Sequence, residues 1–200
     1  MIEVKNISKR FGDHVVFENA SFVFRPGVVY CLTGTNGCGK TVLLKMICGA
    51  YRPDKGEIIL DRSQRFGVII ETPQFWPQMN GIETLRYLAS FRHEIGAEEI
   101  EAWLRLMDLW KYRHRKVGKY SLGMRQRLAI AQALMEDPGI ILMDEPTNAL
   151  DDASVALFQQ LMSKEKEKGK TMILATHNIE DMKGIADVFV RVGSGKCVAL

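Results

Sequence analysis

The 200-residue sequence contains no apolar run close to the roughly 18 residues that a membrane-spanning helix needs. Its first residues, Met1 to Lys5, lack the apolar stretch of a secretory signal. These two absences predict a chain that stays in the cytoplasm. Docking on a separate membrane protein stays open.

Cysteines are few, and their spacing excludes common metal and disulfide frameworks. The four cysteines form no CxxC pair and no zinc-ligand spacing, and in a reducing cytosol we expect no disulfide. Cys31 and Cys48 lie in apolar surroundings and are predicted as small core residues. The net charge of +3 is too mild to indicate nucleic-acid binding. The composition, 46% hydrophobic and 26% charged, is that of a globular protein for which one domain is the leading expectation.

Hydrophobic patterning predicts an α/β fold with a mainly parallel sheet covered by helices. Strands and helices alternate up to about residue 77 and again from about 136, and 187–192 is the last clear strand. The intervening segment, about 78–135, is helical and is predicted as an inserted subdomain. The first of its helices has a set of apolar residues that we expect to pack: Ile82, Leu85, Tyr87, Leu88 and Phe91.

A glycine-rich segment follows the continuous apolar strand predicted at 28–33. It consists of Gly34, Thr35, Asn36, Gly37, Cys38, Gly39, Lys40 and Thr41. This order fits the pattern G-x-x-x-x-G-K-[ST] between a strand and a helix. In that pattern backbone N–H groups and the helix N-terminus bind phosphate oxygens, the lysine reaches the β- and γ-phosphates, and the hydroxyl ligates Mg²⁺. The segment predicts ATP and Mg²⁺ as ligands.

Two acidic residues end another apolar strand, at 140–143. Asp144 and Glu145 are adjacent, so their side chains point to opposite sides of the strand and need not share a task. We expect Asp144 to hold Mg²⁺ through water and Glu145 to orient and deprotonate the attacking water. Alone, Asp-Glu-Pro could equally be a strand end, but the glycine loop favours the catalytic interpretation.

A second helix start has the features of an anion site. Ser121 precedes a predicted helix and can cap it, which leaves free N–H groups around Gly123. By itself this motif is more often an ordinary capped helix. The motif alone leaves both interpretations open.

Five separated segments, at 34–41, 121–127, 140–145, 149–151 and at His177, together resemble those of ATP-binding cassette (ABC) ATPases in order and spacing, over essentially the whole chain. The resemblance implies a P-loop NTPase (RecA-like) core with an N-terminal antiparallel β subdomain. It implies one domain over residues 1–200, with core and β subdomain at about 1–77 and 136–200. By the same resemblance Phe11 stacks on adenine, and His177 contacts the γ-phosphate and positions water. The signature residues Ser121, Gly123 and Met124 are implied to contact the γ-phosphate of the ATP held by a partner subunit. Residues 149–151 are implied to couple the two subunits.

Three positions depart from the family pattern. Val42 replaces a frequent hydroxyl residue next to the α-phosphate, and Leu122 replaces the first glycine of the signature motif. Glu71 stands where a Mg²⁺-binding glutamine is usual, and Gln74 is a weaker candidate for that role. We expect Glu71 to ligate Mg²⁺ or water. The segment around it is similar to that of the bacitracin- and lantibiotic-type export branch.

The predicted function is therefore that of an ATP-binding and ATP-hydrolysing subunit that powers a separate membrane permease, with export of a peptide antibiotic or similar substrate as one option. The expected partners are a second cassette, identical or homologous, and the permease on the cytoplasmic face of the cell membrane. No nucleic acid is expected. The alternatives are a soluble ABC ATPase acting on nucleic acid or the ribosome, another P-loop enzyme such as a kinase, and a non-catalytic nucleotide-binding regulatory module. The short helical insertion disfavours the first, residues 121–127 the second, and Glu145 with His177 the third.

Overall fold

The computed structural model describes residues 1–61 and 63–200, and within them nine strands and five α-helices form two sheets and the layers around them. In chain order the elements are β1 (Ile2–Phe11), β2 (His14–Phe24), β3 (Val29–Thr33), α1 (Lys40–Ile47), β4 (Lys55–Leu60), β5 (Phe66–Ile69), α2 (Gly81–Ala89), α3 (Ala97–Leu106), α4 (Leu122–Leu134), β6 (Ile140–Asp144), α5 (Asp152–Glu167), β7 (Thr171–Ala175), β8 (Val188–Gly193) and β9 (Lys196–Ala199).

The first sheet is antiparallel, in the order β2-β1-β4. Strand β2 continues through the polar residues Glu18 and Asn19, which interrupt its apolar pattern. They form a bulge rather than a turn, because Ile7 pairs with Ala20 while Lys9 pairs with Phe17. Positive φ at Asn19 marks the extra residue. The predicted antiparallel β subdomain is confirmed.

The second sheet has six strands in the order β5-β6-β7-β3-β8-β9. All neighbours in it are parallel except β8 and β9. The mainly parallel sheet is therefore confirmed, but the expectation that 187–192 would be the last strand is wrong. Strand β9 escapes prediction because it has four residues, of which only Cys197 is buried.

The central strands are buried on both faces, as parallel strands between helices must be. Ile141 and Met143 belong to a core beneath α2 to α5, whereas Ile140 and Leu142 face α1 and the antiparallel sheet. The predicted core position of Cys31 is confirmed, and Cys48 is only partly buried. Among residues 1–61 and 63–200, no helix is long and apolar enough to cross a bilayer.

The inserted helices pack less completely than their pattern predicted. Ile82 and Leu85 are buried, and Leu88 packs against the same core. Tyr87 and Phe91, expected to pack, are instead 41% and 68% exposed. The reason is geometric, since α2 ends at Ala89 and turns its aromatic side away from α3 and α4.

Candidate nucleotide site

The glycine-rich segment connects β3 to α1 at the carboxyl edge of the parallel sheet. Gly34 has φ of 144°, and a Cβ on it would lie 2.3 Å from the carbonyl oxygen of Val192. Gly39 has φ of 112°, and its Cβ would lie 2.7 Å from Val16 Cγ1. Only glycine fits these two positions without displacing backbone or core. Gly39 caps α1 without a side-chain hydrogen bond, so no cap side chain occupies the first N–H groups of the helix, which can bind an anion.

The Lys40 side chain folds back into the loop. Its Nζ donates to the carbonyl oxygens of Gly34 at 2.8 Å and Thr35 at 3.3 Å. The residue is 7% exposed, so the ammonium group is held inside the loop. Residues 34–38 line one side of an adjoining cavity of 680 Å³. Val42, by contrast, packs its side chain against the core beneath α1.

Thr41 and Asp144 meet although 103 residues separate them. The Thr41 hydroxyl donates to Asp144 Oδ2 at 2.5 Å. Asp144 is 9% exposed, and burial raises the pKa of its carboxyl group above its usual range. A hydroxyl and a carboxylate are oxygen ligands of the type that Mg²⁺ prefers, so this pair fits the expected cation.

Glu145 and His177 lie together at the ends of neighbouring strands. Glu145 has φ of 50°, a strained position for a residue with a side chain. Its carboxylate accepts from the Thr176 hydroxyl at 3.1 Å and from the His177 backbone N–H at 3.1 Å. His177 Nδ1 lies 2.9 Å from Glu145 Oε2. Thr176 was missed by the sequence reasoning, because only the fold shows that β7 ends beside β6.

The start of α4 is built as the sequence predicted. Ser121 Oγ accepts from the backbone N–H of Met124 at 3.2 Å, which is an N-cap contact. Gly123 lies so close to Ala149 that a Cβ would be 2.7 Å from the Ala149 carbonyl oxygen. No hydrogen bond joins residues 121, 123 or 124 to the glycine loop within the described parts of the chain. Within one chain the two helix starts are therefore separate in their hydrogen bonding, although Leu122 borders the same cavity as Asp144 and Glu145.

The aromatic ring expected to stack on the base is accessible. Phe11 is 44% exposed at the end of β1. Its ring contacts Tyr51 edge-on with centroids 5.6 Å apart, and Lys9 Nζ lies 5.3 Å from its centroid. Tyr51 was not among the predicted site residues. Its place just after α1 is the signal that could have identified it.

No hydrogen bond joins Glu71 to Asp144 or Thr41 among the described residues, although Glu71 and Asp144 border one cavity. It has φ of 63°, and its Oε1 lies 2.5 Å from Nζ of Lys45, a residue of α1 that the sequence reasoning missed. The hydrogen bond to Glu71 raises the pKa of Lys45. Gln74, the weaker candidate, is exposed and borders a different cavity from Asp144.

A phosphate loop opposite a hydroxyl–carboxylate pair, with a second carboxylate beside a histidine, defines a nucleotide hydrolase of the P-loop class. The family model for the ABC transporter matches residues 17–148. The chain belongs to this family, and it is the ATP-binding, ATP-hydrolysing subunit of an ABC transporter.

Similar proteins agree with this assignment over nearly the whole chain. An uncharacterized ABC transporter ATP-binding protein of Bacillus subtilis, YybJ, is 36% identical over 98% of this chain and 94% of its own length. The bacitracin transport ATP-binding protein BcrA of Enterococcus faecalis is 32% identical over 99% of this chain and 68% of its own. A dimeric, post-hydrolysis structure of the ATP-binding cassette MJ0796 with ADP and Pi superimposes with a TM-score of 0.88 at 25% identity, over 98% of this chain and 96% of that one. The transporter prediction is confirmed over the nucleic-acid alternative.

Proposed function

We propose that this chain provides the two complementary halves of an ATP site, to be joined with those of a second cassette. The first half is the glycine loop, where N–H groups of residues 34–41 and the Lys40 ammonium bind the β- and γ-phosphates. The observation that carries this assignment is the contact between Thr41 and Asp144, since it brings a metal-type oxygen pair to the mouth of the loop. Bound there, Mg²⁺ would neutralise phosphate charge. Phe11 would stack on adenine.

Glu145 is proposed as the general base. Its carboxylate is fixed by Thr176 and by the backbone N–H of His177, so it keeps one orientation before any substrate binds. The ring of His177 is 65% exposed and can reach a γ-phosphate while its Nδ1 stays near Glu145. The pair would orient a water and take its proton as the phosphorus–oxygen bond breaks. Glu71 is proposed as an additional oxygen ligand of Mg²⁺ or of its water.

The second half of the site is the start of α4. The Met124 N–H is engaged by the Ser121 hydroxyl, so the N–H groups of Leu122 and Gly123 are left for an anion at the helix start formed by Ser121, Gly123 and Met124. The related cassettes are dimeric, which supports a partner's ATP as that anion. We propose a head-to-tail dimer around two ATP molecules, with residues 149–151 between the subunits. Hydrolysis removes the phosphate that joins the halves, and the dimer then opens.

A permease is the proposed partner of the helical segment, residues 78–135, which we treat as a subdomain. Trp76, which lies just before this segment, forms an exposed row of rings with Tyr87 and Phe91, with edge-to-face contacts at centroid distances of 4.9 and 5.1 Å. Exposed aromatic rows of this kind are typical of protein interfaces. We place the chain on the cytoplasmic face of a membrane through this surface. The bacitracin transport relative makes export of a peptide antibiotic or similar substrate the first substrate class to test.

Purification of the tagged chain from native membranes tests the transporter assignment. We expect a membrane protein with several spanning helices to co-purify, and Phe91→Ser to reduce its recovery by removing an exposed ring. The matched control is Val23→Ser, which alters an exposed apolar residue on the antiparallel sheet. Recovery of the chain with ribosomes or DNA would contradict the proposed permease partner. Equal losses of the co-purifying protein in the two variants would contradict the proposed surface.

A further inference from the structure

Three carboxylates border one cavity at the carboxyl edge of the sheet, and each has a different partner. Glu71, Asp144 and Glu145 line this cavity of 170 Å³. Asp144 accepts the Thr41 hydroxyl, and Glu145 faces Thr176 and His177. A triphosphate bound nearby is strongly anionic, so an unneutralised carboxylate at this edge opposes its binding. The carboxylate of Glu71 is the one paired with a lysine.

The lysine is placed by the geometry of α1. Lys45 follows Thr41 by four residues, so both side chains lie on the same face of the helix, one turn apart. Asp144 is the last residue of β6, and Glu71 lies two residues after the end of the neighbouring parallel strand β5, in which Ile69 pairs with Met143. One face of α1 therefore contacts two acidic residues that lie side by side.

The pair differs from an ordinary surface ion pair in how Lys45 is confined. Its side chain is 19% exposed, and its Nζ lies 5.2 Å from the centroid of the Tyr51 ring. Glu71 is 64% exposed and holds a φ of 63°, in a region that costs energy for a residue with a side chain. An exposed carboxylate gains little fold stability from such a partner. The consequence of the pair is therefore the charge and the position of Glu71.

We propose that Lys45 is a positioning residue of the nucleotide site, which holds Glu71 at its edge and cancels the charge of its carboxylate. This role rests on the nucleotide assignment made above. ATP carries one charged phosphate more than ADP. Loss of the neutralising ammonium therefore weakens ATP binding more than ADP binding, and removal of the Glu71 charge reverses that difference.

A double-mutant cycle of Lys45→Gln, Glu71→Gln and the two combined tests the role by equilibrium binding of ATP and ADP in EDTA, where turnover is prevented. We expect Lys45→Gln to lower the ratio of ATP to ADP affinity by about two- to fivefold, the range of a partly exposed charge pair. Lys45→Gln combined with Glu71→Gln should restore the wild-type ratio. The matched control is Lys5→Gln, which removes the lysine of an unrelated pair on β1, where Lys5 Nζ lies 3.4 Å from Glu3 Oε2. It should leave the ratio of ATP to ADP affinity unchanged.

The outcomes separate the two levels of the proposal. One contrary result is an equal loss of ATP and ADP affinity in Lys45→Gln, and another is a double variant that fails to recover the wild-type ratio. Either result would mean that Lys45 supports the fold or touches nucleotide directly. It would overturn the role proposed for Lys45 and leave the nucleotide assignment standing. Absence of ATP binding by the unaltered chain would overturn the nucleotide assignment and the Lys45 role with it.

Discussion

Substitution of Glu145 by glutamine should separate ATP binding from ATP hydrolysis. A glutamine oxygen can still accept from the Thr176 hydroxyl and from the His177 N–H, the two 3.1 Å contacts that orient the native side chain. Local geometry is therefore retained. The amide cannot take a proton from water, so the contribution of a general base is lost. Such bases supply about 10²- to 10⁴-fold in rate, which is roughly 3 to 5 kcal/mol of barrier.

The assay is phosphate release at saturating ATP, alongside equilibrium binding and thermal unfolding of the same protein. We expect hydrolysis to fall by at least about a hundredfold. ATP affinity should be equal or higher, because one negative charge beside the γ-phosphate has been removed, and the variant should accumulate as an ATP-bound dimer. The matched control is Glu180→Gln, an exposed carboxylate close in sequence to His177, whose partner is Lys183 at 2.6 Å.

Turnover within about twofold of the wild type, with ATP binding intact, would remove Glu145 from the role of base. Equal losses in Glu145→Gln and Glu180→Gln would point instead to a general disturbance of the segment after β7. A fall in ATP affinity parallel to the fall in rate would mean that the side chain binds nucleotide rather than water.

Three further predictions concern the glycine loop and its surroundings. Lys40→Ala should weaken ATP binding by about 10- to 100-fold, the effect of losing charge-assisted hydrogen bonds, and unchanged affinity in a calorimetric titration would refute the phosphate-loop assignment. Asp144→Asn should raise the unfolding temperature of the nucleotide-free protein at pH 7 while abolishing hydrolysis. Burial raises the folded-state pKa of Asp144, so its ionised form costs stability above that pKa, and the gain should shrink as pH falls toward the ordinary carboxyl pKa of 3.8. A gain that grows at acid pH would contradict the argument. Thiol labelling of Cys38 should slow when ATP is present, with Cys38→Ser as the control. Cys31, whose pKa is raised to about 12 mainly by burial, should stay unlabelled. Equal labelling rates for Cys38 with and without ATP would place this residue outside the nucleotide site.

The parts of the site that were predictable are those built from short segments. The glycine loop joins a strand to a helix within eight residues, and the Ser121 cap involves a neighbour three residues away, so local rules suffice. The meeting of Thr41 with Asp144 also follows, because both lie at the carboxyl edge of one parallel sheet.

Other features depend on contacts that no local pattern contains. The pairing of Lys45 with Glu71 joins residues 26 positions apart through the register of β5 and β6. The exposure of Tyr87 and Phe91 depends on which side of α2 the other helices cover, since helical periodicity identifies an apolar face but not its neighbours. Strand β9 is too short to have a pattern of its own and exists because β8 offers it an edge.

In the proposed dimer ATP lies between the glycine loop of one subunit and the α4 start of another. Mixing two impaired variants, Lys40→Ala and Ser121→Asp, tests this placement most directly. Aspartate caps a helix as well as serine does, so α4 is preserved while its new charge repels phosphate. In a mixed head-to-tail dimer both defects fall on one site and leave the other intact.

The measurement is ATPase activity of the one-to-one mixture against each variant alone. With random pairing, half of the dimers are mixed and each has one working site, so we expect recovery of about one quarter of the wild-type rate. A mixture no more active than the mean of the separate variants, with mixed dimers shown to form, would contradict a site shared between subunits.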